Sequence, residues 1–452
     1  MIDPQRIEAL NDDPLSPGRY VLYWMQASQR ERYNHALEYA ISQANRLRLP
    51  VVVAFGLSED YPEANERSYA FMLEGLAQTR SDLANRGIQM VIRRGSPETV
   101  ALGLAGNAAM VVADRGYLSL QVAWRAAVAR DAGRRVVQVE SEVVVPVGAA
   151  SNKQEFAART LRPKIHRQLE RFCVPLRRIP LRADSLDLRL GGLDLRDVEG
   201  LLGRLRIDRS VKRVVGFRGG AGEADRLLRA FIAKKLAEYH VRRNEPAAGI
   251  QSDMSPYLHF GQVSPVEIAL KIRHCGAPQE AKDAYLEELI VRRELSMNFV
   301  TFNSKYDSYE RSIPPWARAT LAYHARDKRS PTYSLAQLEA AQTDDPYWNA
   351  AQREMLATGK MHNYMRMYWG KKILQWCRRP DEAFRVALYL NNKYELDGRD
   401  PNSYAGVAWC FGKHDRPWAE RRIFGKVRYM NAAGLERKFD MDAYRRKVDT
   451  AG

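Results

Sequence analysis

The chain has 452 residues, enough for two or three domains at roughly 100–200 residues each. Hydrophobic residues make up 45% and charged residues 28%, with 8 Trp, 22 Tyr and 13 Phe, which excludes an intrinsically disordered chain. Its 71 Lys and Arg against 54 Asp and Glu leave a net charge of +17, which favours a polyanionic partner such as nucleic acid. A basic surface that binds nothing is the alternative.

Cysteine spacing and hydropathy exclude further classes. The four cysteines form no CxxC pair, so we expect no zinc ribbon, no other metal and no disulfide framework. The N-terminus lacks the basic start and apolar core of a signal peptide, and no run approaches the roughly 18 apolar residues of a membrane span. We therefore expect a cytoplasmic protein that does not associate with membranes.

The N-terminal part alternates short apolar runs with helical patterns. The apolar runs are RYVLYWM, PVVVAFGL, IQMVIRR, AAMVVAD and RRVVQVE, and helical patterns span Arg32–Leu47 and Arg67–Arg86. This alternation predicts a parallel sheet with helices on both faces and a ligand crevice at the carboxyl ends of its strands. No G-x-G-x-x-G opens a helix and no P-loop motif occurs, which excludes ordinary dinucleotide and P-loop sites. We assign residues 18–150 to this Rossmann-like α/β domain.

The rest of the chain divides into two parts. Residues 151–222 are Arg-rich with Pro and Gly, as in PLRRIPLRADSLDLRLGGLDLRD, which predicts a linker over the surface, with a specific site as the alternative. Residues 223–452 carry helical patterns such as DAYLEELIVRRELSMNFV and HNYMRMYWGKKILQWCR. We therefore expect an α/β domain, a linker and an all-helical C-terminal domain.

Three segments of the helical part resemble the photolyase/cryptochrome family. They are SDMSPYLHFGQVSP at Ser252–Pro265, TGKMHNYMRMYWGKKILQW at Thr358–Trp376, and YLNNKYELDGRDPNSYAGVAWCFG at Tyr389–Gly412. SPYLHFG and MHNxxRM are similar to the family's flavin-binding motifs. WMQASQR at Trp24–Arg30 and PNSYAGVAWCFGKHDRPW resemble the class II cyclobutane pyrimidine dimer photolyases in particular. The resemblance runs from about Tyr20 to Phe439 and implies FAD in the helical domain.

The resemblance also implies a set of flavin contacts. Ser252 and Ser255 precede a helical pattern, where hydroxyl and amide groups can receive a pyrophosphate, although Ser-Pro is also a common helix start. An Arg–Asp pair near an isoalloxazine ring can stabilise a reduced, anionic form of the ring. The residues that match the family's contacts are Tyr239, Ser252, Asp253, Met254, Ser255, Asn363, Arg366, Asp397 and Asp400.

Asn391 is similar to the class II residue opposite flavin N5. Asn392 is the adjacent competitor, and a role of both in turning the chain before ELDG is the alternative. The resemblance also implies a possible antenna chromophore in the α/β domain: a deazaflavin, a folate or nothing could occupy it.

Two tryptophans are spaced for electron transfer. Trp369 and Trp376 are seven residues apart, which on a helix places them nearly on one face and ~10 Å apart along the axis. The resemblance implies an order from the flavin through Trp369 and Trp348 to an exposed Trp376. Packing in the core is the alternative for such an aromatic stripe.

A DNA lesion site requires an acid, an apolar surface and cations. Glu288 resembles the carboxyl group that family members direct at the dimer carbonyls, and Glu287 and Glu294 are the nearby alternatives. A salt bridge on an exposed helix surface is the alternative role for all three. The sequence departs from class I enzymes after this acid, because Val291-Arg292-Arg293 replaces the Trp and single Arg. The apolar and cationic candidates for lesion and DNA contacts are Met367, Trp409, Arg292, Arg416 and Arg428.

The resemblance implies light-driven DNA repair. Fully reduced FADH⁻ would donate an electron to a flipped pyrimidine dimer in UV-damaged double-stranded DNA, with the enzyme acting as a monomer. A (6-4) photoproduct is the alternative lesion. A cryptochrome-like signalling protein would carry the same flavin but usually has a long tail after the last motif, and a DNA-binding module without enzymatic activity would explain the charge but not the flavin motifs.

Overall fold

The computed structural model describes residues 2–451 and contains an α/β half built on one six-stranded sheet. The strands are β1 (Ile7–Ala9), β2 (Tyr20–Trp24), β3 (Val51–Leu57), β4 (Gln89–Arg94), β5 (Ala108–Asp114) and β6 (Val136–Val139). Their order is β1-β6-β5-β2-β3-β4, with β1 antiparallel and the others parallel. The helices between the strands are α1 (His35–Leu47), α2 (Glu66–Ala84), α3 (Pro97–Ala105) and α4 (Ser119–Asp131).

The predicted parallel sheet is confirmed, and its central strands are almost entirely apolar because helices cover both faces. Every residue of β2, β3 and β5 is buried. Strand β1 lies before residue 18 and escaped prediction, since three residues are too few for a periodic pattern. The domain limits 18–150, 151–222 and 223–452 stay a proposal.

The sheet reverses its winding direction between β2 and β5, and ligands of such folds bind at this point. Asp114 ends β5 and accepts hydrogen bonds of 2.7–3.2 Å from the backbone N–H groups of Gln26, Ala27 and Ser28. One carboxylate thereby orders the loop that carries the WMQASQR motif.

The predicted surface linker is more structured than its composition indicates. It follows α5 (Val147–Ala150) and contains α6 (Ala158–His166), α7 (Leu169–Phe172) and α8 (Val198–Gly203). Leu161, Ile165 and Phe172 are buried in the same hydrophobic cluster as helices of the C-terminal half. The arginines stay outside while these apolar side chains pack inside, so the prediction of a solvated linker is wrong for this part.

The C-terminal half is helical, as predicted. Its first helices are α9 (Ala221–Lys234), α10 (Tyr239–Arg242), α11 (Ser255–His259), α12 (Pro265–His274), α13 (Gln279–Leu286), a π-helical turn (Glu287–Arg292) and α14 (Arg293–Phe302). The others are α15 (Tyr309–Ser312), α16 (Pro315–Tyr323), α17 (Leu335–Glu339), α18 (Pro346–Thr358), α19 (Asn363–Trp376), α20 (Pro380–Tyr394), α21 (Pro401–Cys410), α22 (Ala432–Glu436) and α23 (Met441–Ala451). Within residues 2–451, no helix has the length and apolar character required to cross a membrane.

Buried arginines join the two halves. Arg67 of α2 donates to the backbone carbonyls of Met355 at 3.1 Å and Leu356 at 2.5 Å in α18. Arg30, which is 1% exposed, pairs with Glu142 at 2.6 Å and donates to the carbonyl of Gly261 at 2.9 Å. A guanidinium satisfies several acceptors at once, so these contacts fix the sheet against the helices.

Candidate functional site

The segments singled out in the helical half meet around the start of α19. Lys360 forms an ion pair with Asp253, which lies just before α11. Arg366 Nη2 in α19 lies 2.9 Å from Glu395 Oε2, in the connection between α20 and α21. Three segments that are far apart in sequence therefore surround one region.

Four residues of this region form what we call the polar cluster: Arg366, Asn391, Glu395 and Asp397. Arg366 Nε, Asn391 Oδ1, Asp397 Oδ1 and both Glu395 carboxyl oxygens are buried without an aligned hydrogen bond from residues 2–451. Buried polar groups in folded proteins nearly always have such a partner. Adjacent exceptions indicate that a polar ligand completes the cluster.

The pKa values of the two acids of the polar cluster are shifted in opposite directions. Burial raises the pKa of Glu395 well above its ordinary range, and the nearby Asp397 raises it further against the opposing effect of Arg366. Burial also acts to raise the pKa of Asp397, but Arg366, Glu395 and Ser255 outweigh it and the pKa is lowered. Burial therefore favours the neutral form of Glu395, although its Oε2 lies 2.9 Å from Arg366 Nη2, whereas the surroundings of Asp397 favour its anion.

The two candidate asparagines differ in their contacts. Asn392 Nδ2 donates to Glu63 at 2.6 Å, and its Oδ1 accepts from the backbone N–H of Arg399 at 3.0 Å. Asn391 is 1% exposed and its Oδ1 has no partner within residues 2–451. The geometry favours Asn391 as the residue that binds a ligand.

Some predicted flavin contacts are engaged by other protein groups. Asp400 caps α21 by accepting from the backbone N–H of Asn402 at 2.8 Å, and it lies 3.3 Å from His259 Nδ1. Ser252 Oγ accepts from the Tyr285 hydroxyl at 3.1 Å. Of the remaining predicted contacts, Tyr239 and Met254 are buried, Asp253 is half-buried, and Ser255 and Asn363 are exposed.

The three predicted tryptophans form a continuous series of rings. Trp369 and Trp348 are stacked with centroids 6.3 Å apart and planes at 5°, and Trp348 meets Trp376 edge-on at 5.3 Å. Trp348 Nε1 donates to the Trp369 carbonyl at 3.0 Å, which fixes the stacked pair. The prediction that Trp376 is exposed is wrong, because it is 3% exposed. The half-buried Tyr333 ring packs edge-on against it at 4.9 Å and covers it.

The predicted acid lies in the π-helical turn, an irregularity that is frequent at functional sites. Glu288 is partly exposed and its Oε1 lies 2.7 Å from Arg243 Nη1. Glu287 is paired with Arg162 at 2.7 Å and with Arg292 at 3.2 Å. Of these two neighbours, Glu288 is the less constrained.

Glu294, the third candidate acid, has a structural role. It is 3% exposed and accepts from the backbone N–H of Val144 at 2.6 Å. Burial, only partly offset by this hydrogen bond, raises its pKa to about 8. Glu294 therefore joins α14 to the chain after β6.

The apolar candidates lie next to the π-helical turn. The Arg292 guanidinium lies over the Trp409 ring at 5.7 Å, and Trp409 Nε1 is buried without a partner within residues 2–451. Met367 is half-buried one residue after Arg366 of the polar cluster. These positions join the polar cluster to a cationic, aromatic surface.

Residues 413–428, which we call the basic loop, contain the two predicted DNA-contacting arginines. Arg428 lies over the Trp418 ring at 4.3 Å and Arg416 at 5.3 Å, while Asp415 pairs with Arg428 Nε at 3.1 Å. Trp418 is 39% exposed. Trp418 lies at the end of the motif PNSYAGVAWCFGKHDRPW and was not among the predicted site residues, although an aromatic residue among arginines indicates nucleic-acid binding.

An open cavity of about 120 Å³ lies at the reversal point of the sheet, and we call it the switch-point cavity. It is lined by residues that follow β2 and β3, by Tyr61 and Trp124, and by His259 and Phe260 from the helical half. Gln26 Nε2 and Oε1 and Gln29 Oε1 are buried without partners within residues 2–451. Both glutamines were quoted in WMQASQR but not predicted as ligands.

Comparisons with known proteins agree with this arrangement. The DNA photolyase family model matches residues 21–181. A deoxyribodipyrimidine photo-lyase of Methanothermobacter thermautotrophicus is 53% identical, with 98% of this chain and 98% of the relative covered. The enzyme of that name from Potorous tridactylus is 40% identical, with 95% and 81% covered.

Structural similarity extends over nearly the whole chain. A class III photolyase from Agrobacterium tumefaciens aligns with a TM-score of 0.75 at 19% identity, with 97% of this chain and 87% of that one covered. Similarity to a cryptochrome of Arabidopsis thaliana covers only 33% of this chain at 28% identity. The chain therefore belongs to the DNA photolyase family of light-driven DNA-repair enzymes.

Proposed function

We propose that the helical half binds FAD at the polar cluster and, with the cofactor fully reduced, splits cyclobutane pyrimidine dimers in UV-damaged double-stranded DNA. The unpartnered buried atoms of the polar cluster carry this proposal, because ring N–H and carbonyl groups of a flavin complement them. Reduced FAD supplies a photoexcited electron that opens the two inter-ring carbon–carbon bonds of the dimer and then returns.

The polar cluster orients and stabilises the ring. With FAD bound, Asn391 Oδ1 would accept from N5–H and the Arg366 guanidinium would stabilise negative charge on the ring. Glu395, whose Oε2 lies 2.9 Å from Arg366 Nη2, holds that guanidinium in place. The other proposed FAD contacts are Tyr239, Ser252, Asp253, Met254, Ser255, Asn363 and Asp400.

The ring series supplies electrons when the bound cofactor is oxidised. Trp369 shares α19 with Arg366, and the contacts continue through Trp348 to Trp376. Because Trp376 is buried, we add Tyr333 as the ring through which an external reductant acts.

The surface around Trp409 receives the flipped dimer, and the protein acts as a monomer. Trp409 and Met367 pack against the pyrimidine rings, and a protonated Glu288 would hydrogen-bond their carbonyls. Base flipping costs a few kcal/mol, and one stacked ring returns ~1–3 kcal/mol. Phosphate contacts of Arg292, Arg416 and Arg428 supply the remaining stabilisation, and Trp418 enters the gap left in the duplex.

The switch-point cavity suits an antenna chromophore, a deazaflavin or a folate. Its aromatic walls, the amide of Gln26 and the side-chain oxygen of Gln29 fit a flat heterocycle with a few polar atoms. Residues of both halves line this cavity.

A repair assay tests the proposal. Reduced FAD-loaded protein is incubated with an oligonucleotide that contains one thymine dimer, in light and in darkness, and the products are separated by HPLC. We expect the dimer to be converted to two thymines in the light only. A dimer that persists in the light although the protein binds the oligonucleotide would contradict the proposal.

A further inference from the structure

We propose that the turn 151–157, between α5 and α6, is a second DNA-contacting element beside the basic loop, with Phe156 packing against the strand that flanks the lesion. The inference rests on the proposed function. Phe156 is 55% exposed, unlike most aromatic side chains of the chain. Covering an apolar ring at this level of exposure removes it from water and therefore favours binding.

The turn is held rigidly, so the exposure of Phe156 does not result from a loose segment. The backbone N–H of Glu155 donates to Asn298 Oδ1 at 2.8 Å, and Asn298 Nδ2 donates to the Lys153 carbonyl at 2.9 Å. Ser151 Oγ donates to Glu155 Oε1 at 2.6 Å. A fixed backbone presents the ring without an ordering cost on binding.

The outer side of the turn is cationic. Lys153 and Arg159 are exposed, whereas Glu155 is 3% exposed and pairs with Lys164. Burial acts to raise the pKa of Glu155, but hydrogen bonds from Lys164 and Ser151 outweigh it and lower the pKa to about 2. The acid therefore stays ionised and internally paired, and the exposed side presents one ring flanked by positive charge.

Two contacts place the turn beside the lesion surface. His414 of the basic loop lies with Nδ1 2.7 Å from the Phe156 carbonyl. Burial lowers the pKa of His414 to about 4, so the neutral ring donates this hydrogen bond. At the other end, Arg162 of α6 pairs with Glu287, and Glu287 pairs with Arg292, which lies over Trp409.

This combination fits a nucleic-acid strand better than a protein partner. The ring can stack on a base or pack on a sugar while Lys153 and Arg159 bind phosphates, and the basic loop continues the same positive surface. A strand seated at Trp409 and the basic loop has the turn as its neighbour.

The test measures binding of a dimer-containing duplex to the FAD-loaded protein by fluorescence anisotropy at several salt concentrations. For Phe156→Ala we expect Kd to rise roughly 5- to 150-fold, the range for loss of one stacked base, with an unchanged salt slope. For Lys153→Gln we expect the slope of log Kd against log salt to fall by about 1. The matched control is Leu186→Ala, because Leu186 is 42% exposed near β4, at the opposite edge of the sheet.

Further readouts separate the outcomes. Flavin absorbance and thermal unfolding report whether each variant is folded. Repair of an isolated thymine dimer dinucleotide reports whether the lesion site is intact. All three measurements should match wild type. Phe156→Ala that binds the duplex like wild type would overturn the inference while leaving the proposed function in place. An equal loss on the dinucleotide would also overturn it. Wild-type protein that fails to bind or repair the duplex would instead refute the proposed function.

Discussion

The switch-point cavity and the polar cluster both contain buried polar atoms without an aligned hydrogen bond from residues 2–451, and the two regions differ in charge. In the switch-point cavity these atoms belong to the neutral amides of Gln26 and Gln29, whereas in the polar cluster they belong mainly to Arg366, Glu395 and Asp397. A chromophore that only absorbs light needs a fitting shape and a few neutral hydrogen bonds. A group whose charge changes during reaction needs charged neighbours fixed in advance. The difference supports light collection in one half and electron transfer in the other.

Removing an indole from the electron path should have the largest effect. Trp369→Phe should reduce photoreduction of oxidised flavin to background, because a phenyl ring is much harder to oxidise than the indole that stacks on Trp348. Repair by chemically reduced protein should be retained. Trp124→Phe, in the switch-point cavity, is the matched control and should keep full photoreduction. Flavin absorbance under illumination measures photoreduction in both variants. Equal photoreduction rates in the two variants would contradict the assignment of electron transfer to the helical half.

Neutralising the anion of the polar cluster should have the next largest effect. Asp397→Asn removes the carboxylate whose charge is coupled to the buried Arg366 and leaves that guanidinium with Glu395 alone, which should cost about 3–5 kcal/mol in the free energy of unfolding of the FAD-loaded protein. Glu395→Gln replaces an acid whose neutral form is favoured by burial with an amide that can still accept from Arg366, and it should cost no more than about 1 kcal/mol. Denaturant unfolding compares the two variants. A larger cost for Glu395→Gln would show that the protonation states are reversed.

The two regions should also differ in pH dependence. The folded-state pKa of Glu395 is raised, so its contribution to stability is complete below the ordinary value of 4.5 and is lost as pH rises through the raised pKa. FAD retention, followed by fluorescence of released flavin, should therefore weaken as pH rises, and Glu395→Gln should flatten that trend. Retention of the antenna chromophore in the switch-point cavity should not follow it. Identical pH profiles for both chromophores would contradict the comparison.

Changing the switch-point cavity should have the smallest effect on repair. Gln26→Leu removes the unpartnered amide and should abolish retention of an antenna chromophore, detected by HPLC of the heat-released pigments. Repair under strong light absorbed directly by the flavin should stay near wild type. A large loss of FAD in this variant would show that the cavity holds the catalytic cofactor.

The sequence predicted what depends on local pattern and missed what depends on distant neighbours. Apolar runs located β2 to β6, and the spacing of Trp369 and Trp376 placed them on one helix face. Helical spacing does not reveal which residues cover that face, so the packing of Tyr333 over Trp376 could not be predicted. Glu395 stands inside the quoted YELDG, but only the approach of α19 makes it a buried acid beside Arg366.

A crystal structure of the FAD-loaded protein would test the central claim most directly. We predict flavin density in the helical half, with N5 within about 3 Å of Asn391 Oδ1 and the ring beside Arg366 and Asp397. Flavin density confined to the switch-point cavity, with the polar cluster closed by its own side chains, would contradict it.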